Sequence, residues 1–234
     1  MTTDENKTVI ETKAVTKEYS DNGVPVMALH GIDLTIEKGE FTAIVGPSGS
    51  GKTTFLNIIS GLDSATEGSV RLDGKLLSEM SGRELSDYRR DKIGFIFQAY
   101  NLIPVLTVQE NIEYIMLLQS IDQFERSRRV ENVLSQLGLS GMSDRLPSRL
   151  SGGQQQRVAV ARAIVSRPAL VLADEPTANL DSKTALELID MMRKLNEESG
   201  TTFVFSTHDN MIMERARRLI VLKDGRIDRD EVRA

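Results

Sequence analysis

The chain has 234 residues, 40% of them hydrophobic and 27% charged, which is the composition of a soluble globular protein with one large domain or two small ones. Its net charge of −5 gives no electrostatic reason to expect nucleic-acid binding, and the absence of cysteine excludes disulfides and thiolate metal sites. The polar, acidic first residues do not have the pattern of a signal peptide, and no run has the roughly 18 apolar residues of a membrane-spanning helix, so a membrane role would need a partner.

Short strands dominate the first part of the chain. Residues 9–15 alternate between polar and apolar side chains, and residues 26–36 contain a second strand. Phe41–Val45 is a short, apolar, β-branched run, which is the pattern of a buried strand. Residues 68–72 are predicted to form a strand that ends at the turn dipeptide Asp-Gly. This part therefore combines antiparallel, hairpin-rich structure with one buried strand.

A glycine-rich loop follows the buried strand. Its sequence, V-G-P-S-G-S-G-K-T-T, has the spacing G-x-x-x-x-G-K-[ST] over residues 46–53, which we call the phosphate loop, and a helical pattern opens at Thr54. Glycines let successive backbone N–H groups face one anion, and the helix start adds its dipole. Lys52 brings a positive charge to the β- and γ-phosphates, and the Thr53 hydroxyl is placed to bind Mg²⁺. A plain turn between strand and helix would not require the whole motif. The residues predicted to contact phosphate are Gly46, Pro47, Ser48, Gly49, Ser50, Gly51, Lys52, Thr53 and Thr54.

The pattern changes from strand to helix after Gln98. Residues 93–97 are predicted to form a further buried strand that ends at Gln98. From about residue 108 to 137, apolar side chains recur at helical spacing, and no strand pattern interrupts them. We therefore expect a core formed by residues 1–99 and 166–234, and a helical insertion over residues 100–165.

Strands return in the last third of the chain and alternate with helices. Residues 169–173 are a near-continuous apolar run of the kind found inside parallel sheets. Asp181 is placed to cap a helix over about residues 182–199, and residues 202–206 and 217–222 are the next strands. Strands that alternate with helices predict a mostly parallel, doubly wound sheet, with phosphate chemistry at the carboxyl ends of its strands.

Four polar side chains fall at predicted strand ends, namely Gln98, Asp174, Glu175 and His208. Adjacent acids at the end of a buried strand need a cation or a polar ligand, because burying a charge is costly. Asp174 is therefore predicted to hold Mg²⁺, directly or through water, and Glu175 to polarise the attacking water. A surface turn with solvated carboxylates is the alternative for these two acids, and the phosphate loop argues against it.

Residues 150–154, L-S-G-G-Q, open another predicted helix, and we call them the signature segment. Ser151 is a good N-cap residue, and Gly152 and Gly153 would let an anion approach the backbone. Alone, the segment would be interpreted as a common turn or linker. Beside a complete phosphate loop, it indicates a second phosphate-binding surface, and two chains facing head to tail would use both surfaces.

In this order, the motifs resemble those of the nucleotide-binding subunit of an ABC transporter over essentially the whole chain. The phosphate loop matches Walker A of that family, Gln98 its Q-loop and the signature segment its L-S-G-G-Q. Residues 170–175 match Walker B with the following glutamate. The remaining matches are Asp181 in the D-loop, His208 as the switch histidine, and Tyr19 as the aromatic that stacks on adenine.

The resemblance implies an α/β fold class, the P-loop NTPase fold of ABC ATPases, in a single domain over residues 1–234. This fold has a mostly parallel sheet core, an antiparallel β subdomain and a helical subdomain insertion. The resemblance also implies a head-to-tail dimer with two ATP molecules between the subunits, and ATP and Mg²⁺ as cofactors. The expected Mg²⁺ ligands are Thr53, Gln98 and Asp174. The expected catalytic residues are Glu175 as the base, His208 as a γ-phosphate contact, Lys52 and Gln98. The expected nucleotide contacts outside the phosphate loop are Tyr19, Ser151, Gly152, Gly153, Gln154 and Asp181.

A finer resemblance is to the LolD and MacB branch, which releases lipoproteins or exports macrolides. Residues 94–104 and 172–181 look like that branch, which favours T-[GA]-N-L-D where polar amino-acid importers more often have T-S-A-L-D. The implied function is an ATP-hydrolysing motor for export or extraction from the membrane. The implied partners are transmembrane permease subunits and a second copy of the chain or a homologous ATPase subunit, with no nucleic acid and no direct membrane insertion. The implied location is the cytoplasmic face of the inner (plasma) membrane, reached through the membrane partner.

Other functions stay open at this point. A cell-division-type signalling ATPase or a polar amino-acid importer ATPase would share most of the motifs. ABC ATPases that act on DNA or ribosomes carry long coiled coils, zinc-cysteine insertions or two cassettes in one chain, and this sequence has none of these. A P-loop kinase of a small molecule would leave the signature segment, Glu175 and His208 unexplained. The membrane subunit chooses the cargo in this family, so the motor sequence does not identify it.

Overall fold

The computed structural model describes residues 7–21 and 24–233 of the chain, and the elements below belong to those residues. The strands are β1 (Thr8–Asp21), β2 (Val24–Glu37), β3 (Phe41–Val45), β4 (Glu67–Leu72), β5 (Lys75–Leu76), β6 (Ile93–Ile96), β7 (Leu170–Asp174), β8 (Thr202–Thr207), β9 (Arg218–Lys223) and β10 (Arg226–Val232). The helices are α1 (Lys52–Ile59), α2 (Gly82–Lys92), α3 (Val108–Leu118), α4 (Gln123–Gln136), α5 (Gly152–Ile164), α6 (Ser182–Ser199) and α7 (Asn210–Arg215). The first predicted strand is thus longer than expected and includes Tyr19. Residues 1–6, in the polar N-terminal segment, lie outside the described residues.

The larger sheet of the described residues has six strands in the order β10-β9-β3-β8-β7-β6. Strands β9, β3, β8, β7 and β6 are parallel, and β10 pairs antiparallel with β9 at one edge. The prediction of a mostly parallel sheet is therefore confirmed. Because β3, β8 and β7 lie side by side, the strand ends that carry the phosphate loop, His208 and Asp174 meet at one edge of the sheet.

Both faces of this sheet are covered, which explains the near-continuous apolar runs of its strands. Ala43 and Val171 belong to a core shared with the helices α3 to α6, whereas Ile44 and Leu172 face a second core with α1 and the smaller sheet. Neighbouring residues of one strand enter opposite cores because side chains alternate across a strand. The central strands are consequently fixed from both sides.

The smaller sheet is antiparallel and has the order β2-β1-β4-β5. Strand β2 packs one face on the core, so Ile32, Leu34 and Ile36 are buried while the residues between them are exposed. This pattern agrees with the alternation seen in the sequence. The sheet lies over α1 and closes the second core.

Among the described residues, three α-helices, α3, α4 and α5, and a short 3₁₀ helix, Pro147–Arg149, lie between β6 and β7, and no strand does. The division at residues 100–165 remains a prediction. Helix α5 is held close to the core, because a Cβ added to Gly94 of β6 would lie 2.1 Å from the carbonyl oxygen of Ala163. A larger residue than glycine at position 94 would push α5 off the sheet.

The sequence interpretation missed helices α2 and α7 and strands β5 and β10. Helix α2 buries only Tyr88, so it has little apolar periodicity, yet a capping box between Ser81 and Glu84 marks its start. Helix α7 has six residues, about 1.7 turns, and is capped by Asp209, whose side chain accepts a hydrogen bond from the Met211 N–H. Strand β10 is charged and lies at the sheet edge, where charge discourages pairing with other chains.

Candidate phosphate-binding site

The phosphate loop leaves the carboxyl end of β3 and enters helix α1, in agreement with the sequence prediction. Glycine is required at Gly46, where an added Cβ would lie 2.1 Å from the carbonyl oxygen of Leu222, and at Gly51, where it would lie 2.8 Å from that of Ala28. Gly51 also occupies the N-cap of α1 and supplies no side-chain cap. The first N–H groups of the helix are therefore free to bind an anion placed in the loop.

Lys52 bends back over this loop. Its Nζ donates hydrogen bonds to the carbonyl oxygens of Gly46, at 2.7 Å, and Pro47, at 3.0 Å. These bonds hold the ammonium group against the loop, and Lys52 lines the cavity described next. The charge is therefore held at the loop, and a phosphate would have to replace these two carbonyl bonds.

A cavity of about 700 Å³ opens above the loop and joins it to the strand ends. Its lining comprises Ala28, Pro47, Ser48, Gly49, Gly51, Lys52, Thr53, Thr54, Gln98, Asp174, Glu175, Ala178, Ser206 and His208. The structure thus brings most of the predicted phosphate contacts together with all four predicted strand-end residues. Gly46 and Ser50 are absent from the lining, and the buried Ser50 hydroxyl has no hydrogen-bond partner among the residues that the structure describes.

The acidic side of the cavity is formed by Asp174. Burial raises the pKa of Asp174 above its ordinary value, and the neighbouring Glu175 carboxylate raises it further, while Ser206, Lys52 and Thr53 lower it. A nearby cation stabilises the charged form of a partly buried carboxylate whose pKa is raised. A metal ion would therefore favour its charged form.

The oxygen donors around this point fit Mg²⁺. They are one carboxylate from Asp174, one hydroxyl from Thr53 and one side-chain amide from Gln98, and all three residues line the same cavity. Mg²⁺ takes oxygen ligands, keeps several waters and is usually bound through one or two carboxylates together with phosphate oxygens. The set is therefore suited to a metal that arrives with phosphate.

Glu175, which lines the cavity, is held by two partners. Its Oε1 lies 2.7 Å from Nδ1 of His208, and its Oε2 accepts a hydrogen bond of 3.2 Å from the Thr207 hydroxyl. The backbone of Glu175 is in the left-handed region, with φ of 47°, and its N–H donates to the carbonyl oxygen of Ser206 at 2.9 Å. A strained, doubly held carboxylate at a cavity is a candidate for a chemical role.

The loop that carries Gln98, residues 97–101, is tied to the turn after β7. The side-chain amide of Asn179 donates to the backbone carbonyl of Gln98 at 2.8 Å. The sequence interpretation gave Asn179 no contact. It also missed Ser206, which lines the cavity. The position of this residue, next to last in strand β8, could have revealed it, because phosphate chemistry lies at the carboxyl ends of parallel strands.

The signature segment lies outside the cavity. Ser151 caps α5 as predicted, and it forms a capping box with Gln154 in which the Gln154 N–H donates to the Ser151 hydroxyl at 3.3 Å. Asp181 caps α6, accepting from the N–H groups of Lys183 and Thr184 at 3.1 Å each. The cavity lining includes neither of these caps, nor Gly152 and Gly153. Within one chain they therefore stay apart from a nucleotide held in the phosphate loop.

Tyr19 also lies outside the cavity lining. Its hydroxyl donates to Oδ2 of Asp63 at 2.9 Å, and the Nζ of Lys17 lies 4.9 Å from its ring centroid. The residue is 40% exposed. One ring face is thus occupied by a cation, and the exposed part of the ring is free for stacking.

Known proteins resemble this chain in both sequence and structure. Residues 29–178 match a family model described as ABC transporter. The chain is 45% identical to the uncharacterized ABC transporter ATP-binding protein MJ0796 of Methanocaldococcus jannaschii, over 95% of this chain and 97% of that protein. It is also 45% identical to the macrolide export ATP-binding/permease protein MacB of Mannheimia succiniciproducens, over 94% of this chain but only 34% of MacB. The dimeric post-hydrolysis structure of the cassette MJ0796 bound to ADP and Pi superposes with a TM-score of 0.87 at 44% identity, covering 95% of this chain and 98% of that one.

Proposed function

The chain belongs to the ABC transporter family, and from this premise we propose that it is the ATP-hydrolysing subunit that drives a separate membrane-embedded permease. It is an ATPase of the ABC type, which binds ATP with Mg²⁺. The observation that supports the motor role most directly is the cavity that unites the phosphate loop, Asp174, and the Glu175–His208 pair. The residues that we propose for phosphate binding, metal binding and base catalysis thus lie at one edge of the sheet.

We assign the binding step to the loop and to Lys52. The loop N–H groups and the α1 dipole would hold the β- and γ-phosphates, and the Lys52 ammonium would leave its two carbonyl partners to meet them. Thr53, Gln98 and Asp174 would hold Mg²⁺, which when bound neutralises phosphate charge. No covalent enzyme intermediate is needed, because phosphoryl transfer to water depends on positioning and electrostatic stabilisation.

We assign the role of proton acceptor to Glu175. Its carboxylate would accept a proton from the attacking water at Oε1 or Oε2, while His208 and Thr207 keep the carboxylate oriented in the cavity. His208 has an exposed ring, so it can also reach a γ-phosphate that lies in the cavity. The water becomes a better nucleophile as Glu175 takes its proton.

The site is completed, in this proposal, by a second subunit. Ser151 is exposed, and the N-terminal turn of α5 that it caps lies outside the cavity of its own chain. A head-to-tail dimer would bring the signature segment of one subunit onto the phosphate of the other, where its backbone N–H groups favour an anion. Support comes from the similar cassette structure, which is a dimer bound to ADP and Pi.

The permease would dock on the helical part of the chain. Large apolar side chains are exposed there, with Val105 at 79% and Phe124 at 80%, and Tyr114, Leu117 and Leu118 between them in sequence. Exposed apolar patches mark interaction sites, so the recurrence of such residues in this part of the chain supports docking there. Through this partner we place the protein at the cytoplasmic face of the inner (plasma) membrane. Among the described residues, none of the helices combines the length and the hydrophobicity that a membrane crossing requires.

Within the family, we propose LolD/MacB-type export or extraction from the membrane of a lipoprotein, peptide or drug. The T-A-N-L-D sequence at residues 177–181 and the identity to MacB support this branch. Because the chain spans about a third of MacB, the activity of the whole of that protein is carried over only as a proposal. A cell-division-type signalling ATPase and a polar amino-acid importer ATPase are the alternatives.

The motor assignment is tested by phosphate release from Mg²⁺-ATP by the purified protein. The rate per subunit should rise with protein concentration, because each site would need two subunits. Lys52→Ala should abolish nucleotide binding or weaken it severely, since the loop loses its positive charge. Unimpaired nucleotide affinity and turnover in Lys52→Ala would rule out the phosphate-loop assignment.

A further inference from the structure

The backbone after Gln98 is strained. Tyr100 and Asn101 are both in the left-handed region, with φ of 55° and 51°. A residue with a Cβ is destabilised in this conformation, because the Cβ crowds the carbonyl that follows. Two such residues in succession must be held by their surroundings.

Arg162 of helix α5 supplies that support. Its guanidinium donates to the carbonyl oxygen of Tyr100 at 3.0 Å and also to that of Asn101. Burial lowers the pKa of Arg162, and its described partners are peptide carbonyls. Partly burying a guanidinium without a carboxylate partner is costly for folding alone. The guanidinium is therefore committed to the two carbonyls of this loop.

Helix α5 also holds the other side of the Gln98 loop. The fully buried Gln156 donates from Nε2 to the carbonyl oxygen of Pro176 at 2.7 Å and, more weakly, to that of Phe97 at 3.5 Å. Residues both before and after Gln98 thus bond to side chains of one helix. Asn179, in the turn after β7, holds the Gln98 carbonyl itself, so the loop is bonded both to that turn and to α5.

The loop further contacts the first turn of α5. A Cβ added to Gly152 would lie 2.9 Å from the Tyr100 hydroxyl oxygen. Tyr100 therefore touches the start of α5 through its side chain and the far end of α5 through its carbonyl and Arg162. A 13-residue helix that begins at the signature segment is in this way attached along its length to the loop of Gln98.

We propose that Arg162 is a positioning residue that makes the Gln98 loop and the signature segment move as one unit. The inference rests on the proposed head-to-tail dimer. There, Gln98 serves the metal of its own ATP site, while Ser151 at the other end of α5 completes the site of the partner. Arg162 consequently links the geometry of one site to that of the other.

The loop can be observed without nucleotide, because the chain contains no tryptophan and an introduced indole would report alone. Ala99→Trp places a single indole next to Gln98, at a position that is exposed. Collisional quenching of this indole by acrylamide is then compared with and without Arg162→Gln. The matched control is Arg157→Gln, the same change on the same helix, which breaks an ion pair with Glu187 at 2.9 Å. We expect acrylamide to quench the indole faster in the Arg162→Gln protein than in the Ala99→Trp parent. In the Arg157→Gln protein, quenching should be as fast as in that parent.

The second readout is the Mg²⁺ dependence of hydrolysis. Loss of a residue that orients a metal ligand typically costs roughly 10- to 100-fold in metal affinity or activity. We expect Arg162→Gln to raise the Mg²⁺ concentration needed for half-maximal turnover by such a factor and to reduce cooperativity in ATP, with Mg²⁺-free nucleotide binding unchanged. Equal quenching and equal Mg²⁺ dependence in the Arg162→Gln and Arg157→Gln proteins would overturn the proposal.

If Arg162→Gln does not fold, Arg162→Lys replaces it. Lysine keeps the charge but cannot hold two carbonyls in the fixed geometry of a guanidinium, so the quenching and Mg²⁺ effects should persist at an unchanged melting temperature. Arg162→Lys with parental quenching and Mg²⁺ dependence would equally overturn the proposal. An absence of ATP hydrolysis in every protein, including the parent, would instead refute the motor function, and the quenching comparison would still decide whether Arg162 holds the loop.

Discussion

Glu175→Gln isolates the chemical step of the proposed mechanism. The amide keeps the size of the carboxylate, its oxygen can still accept from the Thr207 hydroxyl, and its NH₂ can donate to Nδ1 of His208. The substitution therefore leaves the position of the side chain intact and removes its basicity. We expect a change in folding stability of no more than about 1 kcal/mol, the net value of one hydrogen bond.

The rate should fall much further than the stability. A positioned general base contributes roughly 10²- to 10⁴-fold. At about 1.36 kcal/mol for each factor of ten, this corresponds to about 3 to 5 kcal/mol on the activation barrier. Nucleotide affinity should be kept or increased, because the phosphate loop and Lys52 are unchanged and one negative charge has left the cavity. ATP should consequently accumulate at a closed dimer.

The assay combines single-turnover phosphate release with size exclusion in Mg²⁺-ATP. Glu187→Gln is the matched control, since it makes the same change at an exposed carboxylate of α6 that pairs with Arg157. Glu175→Gln should elute as a dimer with ATP and release phosphate at least about a hundredfold more slowly than the control. Normal turnover, or a protein that stays monomeric with ATP, would mean that the base lies elsewhere.

Three further predictions address the composite site and the fold. Ser151→Arg and Lys52→Ala subunits, each expected to be inactive alone, should recover part of the ATPase activity when they are mixed. The reason is that a heterodimer contains one site free of both changes. A fully active Ser151→Arg protein would refute the shared site. Gly153→Ala should destabilise the protein by about 1–3 kcal/mol in denaturant titrations, because the new Cβ would lie 2.4 Å from the Thr184 methyl carbon, and Thr184→Ser should relieve that loss. Burial raises the pKa of Tyr88 from 10.0 to about 12, so the stability it contributes is fully present below pH 10 and is lost as the pH rises toward 12. Tyr88→Phe should remove this alkaline loss in denaturation measured across that range, and an unchanged pH profile would contradict the reasoning.

Local chemistry made several features predictable from the sequence. The glycine spacing of residues 46–53 and the apolar run before it predicted the loop between β3 and α1. The cap at Asp181 was found because a short polar side chain before an amphipathic run satisfies the free N–H groups of the helix within a few residues. Helix α2 was missed because its faces are almost entirely polar, although Ser81 and Glu84 carried the capping signal.

The glycines of the signature segment show where local interpretation was incomplete. The sequence suggested that Gly152 and Gly153 allow an anion to approach the backbone. In the folded chain they also make room for Tyr100 and Thr184, residues that are distant in sequence and contact the first turn of α5. The size limit at these positions comes from packing within the subunit, whatever the partner subunit requires.

By itself, the sequence determined the family, the order of the motifs and the identity of the residues at strand ends, because each of these depends on neighbours within a few positions. Only the tertiary structure decided that Gln98, Asp174 and His208 line one cavity, since three parallel strands had to be placed side by side. It alone revealed the bonds from Arg162 to the loop after Gln98, which join residues 61 and 62 positions apart. Local sequence preferences do not predict such contacts, because the contacts form only when the sheet and α5 have packed together.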